Sequence, residues 1–286
     1  PIVELTETIE LTLIANSAYL LGNGGTASVN LTDNDVSPFN IQFDYRFDTI
    51  GWFTPQRRAA LESAAMVWER ILLDEFADTP IGTQTPFVVN PQTGNTVGSN
   101  DVFVTDVPID DLLIFVGADD LDVGTLAQAG PSGFFVNNAR YTGTDFEPWL
   151  GSMSFDRLTN WFFDLTPDTA FDIPANSYDF ISVAVHEMGH VLGFTTGINA
   201  FDTWRVSNSF NGPNARARNG GVALPLEPGS LSHIRDGYQF GNTGQTLMSP
   251  FVGTGKRNLP TILDIAVLDD IGYSVNYSFA AQNPPP

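Results

Sequence analysis

Apolar and polar positions alternate from Thr8 to Leu13, with Ile9, Leu11 and Leu13 on one face, and a period of two predicts a strand. Asn23-Gly24-Gly25 supplies a turn, and Ala27–Leu31 reads as the returning strand before the acidic run Thr32-Asp33-Asn34-Asp35. Ile41–Phe47 alternates again and predicts a further strand. The period then changes. Leu61, Ala64, Ala65, Trp68, Ile71, Leu72 and Phe76 recur at helical spacing behind Thr54-Pro55, an N-cap and first helical residue, so a helix is expected over 55–76. Residues 80–100, rich in Pro, Gly, Thr and Asn, read as a long loop. Leu112–Val116 is a continuous apolar run expected to form a buried strand, and Gly151–Phe155 a strand near the sheet edge.

Ser177–Leu192 is apolar almost all round. It predicts a buried helix capped by Ser177, with Asp179 in its first turn and Gly193 as its stop. Residues 194–232 show little periodicity and predict a long irregular insertion. Thr261 and Asp264 have the spacing of a capping box and open a last helix. Asn283-Pro284-Pro285-Pro286 reads as the start of a stiff linker. Together these elements predict an α+β chain in three parts: 1–37, a larger domain over 38–280, and a linker start over 281–286.

Composition narrows the function. The chain of 286 residues carries 12 basic and 33 acidic residues, a net charge of −21, which disfavours nucleic acid and anionic membrane surfaces as partners. Such a charge would suit basic substrates. No apolar run is long enough for a membrane span. Pro1 is not preceded by a basic, apolar leader, so any signal peptide is expected to have been removed. Asp dominates the acids, and Asp119-Asp120-Leu121-Asp122 is a candidate calcium loop. With no Cys, a transition-metal site must be built from His and carboxylates.

His186-Glu187-Met188-Gly189-His190 supplies such a site. Four residues apart on a helix, His186 and His190 project from one face and can reach one zinc ion. Glu187 stands about 100° further round the helix, beside the metal without binding it, where a general base is needed. Catalytic zinc takes three protein ligands and leaves a position for water. His233 is the only other His in the chain and leads as third ligand, with Glu227, Asp202 and Asp236 as competitors.

His186-Glu187-Met188-Gly189-His190-Val191-Leu192-Gly193 resembles the start of the metzincin zinc signature. Position 196, where the third His commonly stands, is Thr. The later order of Ser232-His233, then Thr246-Leu247-Met248-Ser249-Pro250, then Thr261 through Leu268-Asp269-Asp270-Ile271-Gly272-Tyr273, resembles leishmanolysin and its bacterial relatives. The resemblance implies His233 as third ligand after an insertion and Met248 as the Met-turn residue beneath the zinc. It also implies a twisted, mostly parallel sheet packed on a long helix and the zinc helix. A C-terminal subdomain would hold the third ligand, the Met-turn and the last helix. Gly151-Ser152-Met153-Ser154-Phe155-Asp156 is similar to the strand before that helix in matrixins. Residues 1–37 resemble the end of a Calx-beta domain; an ordinary N-terminal hairpin is the alternative.

The expectation is a monomeric, secreted or cell-surface bacterial endopeptidase. It would hold Zn2+ through His186, His190 and His233, with Glu187 as general base, a protein or peptide substrate, and structural Ca2+ as a further candidate ion. The alternatives are an inert zinc-binding surface or adhesion module of a multidomain scaffold, and a hydrolase of non-peptide amides.

Overall fold

Two strands, Leu112–Asp119 and Leu150–Asp156, lie side by side at the centre of the larger unit and are buried on both faces, as strands of a covered parallel sheet are. The computed structural model describes residues 7–12, 26–31, 37–85, 88–95, 103–132, 139–170, 172–242 and 244–283. Contacts divide the chain into two compact units, 1–37 and 38–286. In the first, β1 (Glu7–Thr12) pairs antiparallel with β2 (Thr26–Leu31). The Asn23-Gly24-Gly25 turn, the acidic run 32–35 and the prolines 284–286 lie outside the described residues.

The second unit is a mixed α+β fold with a mostly parallel sheet. It opens with β3 (Ile41–Asp44), then α1 (Pro55–Glu69), and a two-residue ladder of β4 (Gln84–Thr85) with β5 (Phe103–Val104) crosses the expected loop. Next come β6 (Leu112–Asp119), β7 (Ala127–Ser132), α2 (Ala139–Thr142) and β8 (Leu150–Asp156). The main sheet has the order β3-β6-β8-β7, parallel except for β7. Residues 151–155 fall in β8, next to the edge of the sheet as expected. The edge is β7, whose Pro131 an antiparallel edge strand tolerates. β3 is shorter than Ile41–Phe47, because the Asp44 carboxylate accepts the Arg46 amide at 2.8 Å and turns the chain.

α1 ends at Glu69 rather than 76. Beyond it the backbone bonds to the C-terminal segment instead: Leu73 N–H donates to Ser274 O, and Asn276 N–H to Ile71 O. Pro55 opens the helix, while the Thr54 side chain makes no capping bond. Ala60, Leu61, Ala64, Ala65, Val67 and Trp68 are its buried face, and Trp68 donates its indole N–H to Val185 O at 2.8 Å.

Glu69 accepts the Ile41 amide at 2.9 Å, and burial pushes its carboxyl up to about 7. With the folded value above the unfolded one, its contribution to stability is complete below about pH 4 and is lost as pH rises towards 7. Glu69→Gln keeps an oxygen for the Ile41 amide and removes the titration. It is expected to raise stability at pH 8 by about 1–2 kcal/mol and to change little near pH 4. Urea unfolding at the two pH values checks this; an equal gain at both would refute it.

After β9 (Trp161–Phe162) and β10 (Tyr178–Asp179), a short parallel pair, comes α3 (Phe180–Val191). Ser177 is not its cap. Asp179 is: its carboxylate accepts the Ser182 amide at 2.9 Å and is held in place by the buried Arg257. Gly193, at φ +104°, ends the helix in a conformation that glycine supplies without strain.

The expected irregular insertion is ordered. It contains α4 (Asn199–Trp204), β11 (Arg205–Val206), β12 (Ser209–Phe210), α5 (Pro213–Arg218), β13 (Leu224–Glu227) and β14 (Ser230–Ile234), with the four strands in one antiparallel sheet. Phe201, Phe210, Leu224 and Ile234 bury its inner face. It is tied to the last helix, α6 (Ile262–Asp270), by the Asp270 carboxylate, which accepts the Asn214 and Ala215 amides at 2.8 Å. The Thr261–Asp264 capping box at the head of α6 is present in both directions.

Candidate metal centre

α3, β14 and the turn before α6 meet at the three His residues. His186 and His190 lie one helical turn apart, and His233 arrives from β14. His190 Nε2 stands 3.1 Å from His186 Nε2 and 3.2 Å from His233 Nε2. Of the competing third ligands, none joins them. Asp202 is bonded to Arg205 and to the Gly197 amide, Glu227 accepts the Asp236 amide, and Asp236 accepts the Ser249 hydroxyl.

The other ring nitrogens explain why these atoms face one another. His186 Nδ1–H donates to Leu247 O and His190 Nδ1–H to Phe194 O, each at 2.8 Å, while His233 Nδ1 meets Ser230 Oγ at 2.7 Å. A carbonyl only accepts, so the Nδ1 of the first two rings must carry the proton. The neutral rings then turn bare Nε2 lone pairs towards a common point. Burial holds all three imidazoles below their ordinary range: His186 falls to about 3, aided by neighbouring His233, His190 lies well below, and His233 is lowered too.

Lone pairs at about 3 Å repel unless a cation lies among them. Around a tetrahedral ion with bonds of about 2.0–2.1 Å, neighbouring nitrogens stand about 3.3 Å apart, close to the spacing found. The donor set, with every Nδ1 engaged, therefore suits zinc.

Two groups complete the surroundings. Met248 is fully buried, and a Cβ at Gly189 would stand 2.7 Å from its Sδ, so a larger residue there would push the Met248 side chain from its place against the helix between the two His. Asp264, also fully buried, accepts the Leu247 and Met248 amides at 3.0 and 2.9 Å. The carbonyl that orients His186 therefore hangs from a carboxylate of α6. Neither Asp264 nor Arg257 was singled out as a site residue from sequence. Asp264 showed only as half of a capping box.

A cavity of about 290 Å³ opens beside His186 and His233. Glu187 borders it, only 6% exposed and without a hydrogen-bond partner among the described residues, and burial pushes its carboxyl up to about 8. It is the only acidic residue among the described residues that line the cavity, so the net charge is not concentrated there.

Asp119, Asp120 and Asp122 are not gathered as a ligand set. Asp120 pairs with Arg157 at 2.6 Å, and an Asp119 oxygen accepts the Asp120 amide. Glu75, Asp78 and Asp110 are the other acidic group brought together among the described residues, on the exposed surface. No helix among the described residues is long and apolar enough to cross a membrane. The chain matches no protein-family model, and no curated protein matches it.

Proposed function

We propose that the chain is a zinc-dependent endopeptidase of the metzincin type, with His186, His190 and His233 holding the ion and Met248 as the Met-turn residue. The observation that carries this reading is the convergence of three Nε2 atoms, each on a ring whose Nδ1 is engaged, beside a buried and unpartnered carboxylate. When bound, zinc supplies Lewis acidity and makes water acidic enough to attack near neutral pH. The remaining work falls to the chain. Glu187 takes the proton of the attacking water and passes it to the nitrogen of the leaving amine. Its burial keeps bulk water from competing for that proton and brings its affinity for protons close to neutrality. A cation on the triad moves that affinity down again, leaving the carboxylate free to accept. The edge of β7, which has no strand partner among the described residues and whose Ala127 borders the cavity, supports an extended polypeptide as substrate, because a strand can add to it through backbone bonds.

The test is digestion of unfolded casein by the zinc-loaded protein before and after chelation. Cleavage is expected to vanish with the metal and return when zinc is restored. Casein left intact by fully metallated protein overturns the proposal.

A further inference from the structure

The cavity beside the triad is lined by apolar side chains such as Val183, Leu247 and Val252 and by polar ones that the proton transfer does not use; of the buried polar ones, Ser182 and Ser249 are hydrogen-bonded within the protein. Asn258 lines it and is only 6% exposed. Its backbone N–H is spent on Ser182 Oγ at 2.8 Å, but its side-chain amide has no hydrogen-bond partner among the described residues. Ser182 itself is fully committed, since its hydroxyl also donates to the Asp179 carboxylate. The Asn258 amide atoms are not sealed from solvent, so cavity water meets them until a substrate group takes its place. The amide is also held firmly. The neighbouring Arg257 is fully buried and clamps its segment to Asp179 and to the carbonyls of Thr166 and Thr169.

We propose that Asn258 determines specificity, resting on the peptidase reading above. The cavity accepts a substrate side chain with an apolar stem and an uncharged hydroxyl or amide tip, as in Tyr or Gln, and the Asn258 amide bonds that tip. Lys and Arg are disfavoured, because the one acidic group within reach is Glu187, which the reaction needs. Purely apolar residues fill the space but leave the amide unpaired. Sites built to bond a polar tip discriminate strongly against the analogue lacking it.

The test uses the zinc-loaded full chain and peptides that differ at one position next to the cleaved bond, in matched pairs: Tyr with Phe, and Gln with Met. The expected result is a kcat/KM about 10- to 100-fold higher for the polar-tipped member of a pair. Asn258→Leu should bring the ratio close to one. Asn258→Asp, which keeps the shape and adds a charge, should move the preference towards Lys and Arg. Were Asn258→Leu unable to fold, the wild-type ratios and the Asp variant still decide. Cleavage with Phe and Met served as well as Tyr and Gln overturns this inference alone. Silence towards every peptide overturns the peptidase reading and this inference with it.

Discussion

Glu187→Gln is expected to leave a folded, zinc-loaded protein whose casein cleavage is about 10²- to 10⁴-fold slower. The substitution keeps the size and shape of the side chain and removes its capacity to take a proton. It should not disturb the fold, because the Glu187 carboxyl has no hydrogen-bond partner among the described residues to lose. Burial pushes that carboxyl up to about 8, so the folded protein holds a charge there at a cost, and the amide relieves it. The metal-free variant should therefore be at least as stable as wild type near pH 8. Zinc content by atomic absorption, thermal unfolding and casein digestion separate the three effects. Unchanged cleavage would remove Glu187 from the mechanism, and loss of zinc would make it a ligand.

Asp264→Ala is expected to cost about 3–5 kcal/mol of stability and to weaken zinc binding about 10- to 100-fold. One carboxylate accepts four hydrogen bonds: the Leu247, Met248 and Thr261 amides, and the Thr261 hydroxyl at 2.6 Å. Removing it strands buried N–H groups and takes away half of the α6 capping box, two of the few changes able to produce so large a loss. The effect on zinc follows a shorter route. Leu247 O would no longer be fixed, and with it would go the acceptor that sets the His186 tautomer. Urea unfolding of the metal-free protein and competition with a chelator read the two losses separately. Asp264→Asn should fall between, since its amide oxygen replaces only one of the two acceptors. Stability lost with zinc affinity intact would show that α6 does not govern the metal.

Local spacing made the candidate site partly legible. Two His at one helical turn, with Glu beside the first, need only the helical period to be read as a group. His233 followed from the small number of His available. Asn258, Arg257 and Asp264 carry no such period: their roles depend on which segments meet in space, 78 residues apart for Arg257 and Asp179. The fold divides in the same way. The central strand β6 and the helices α1 and α3 were visible as apolar runs or stripes, whereas β7 reads Ala-Gln-Ala-Gly-Pro-Ser and has neither alternation nor branched residues. The insertion escaped in part because β11 and β12, at two residues each, are too short to alternate, and its order comes from Asp270 and buried aromatics. Ser177 was the wrong cap for a related reason. Capping favoured the carboxylate that a distant arginine already held.

The long-range bonds that hold the His cluster also set when it can form. Leu247 O lies 61 residues beyond His186, and His233 lies 43 beyond His190. Such contacts require large loops to close first, so they follow the local contacts that start folding. The donors come together only once the sheet, the insertion and the last helix are in place. An ion bound by all three would act as a latch on the finished protein, slowing its opening more than it speeds its assembly.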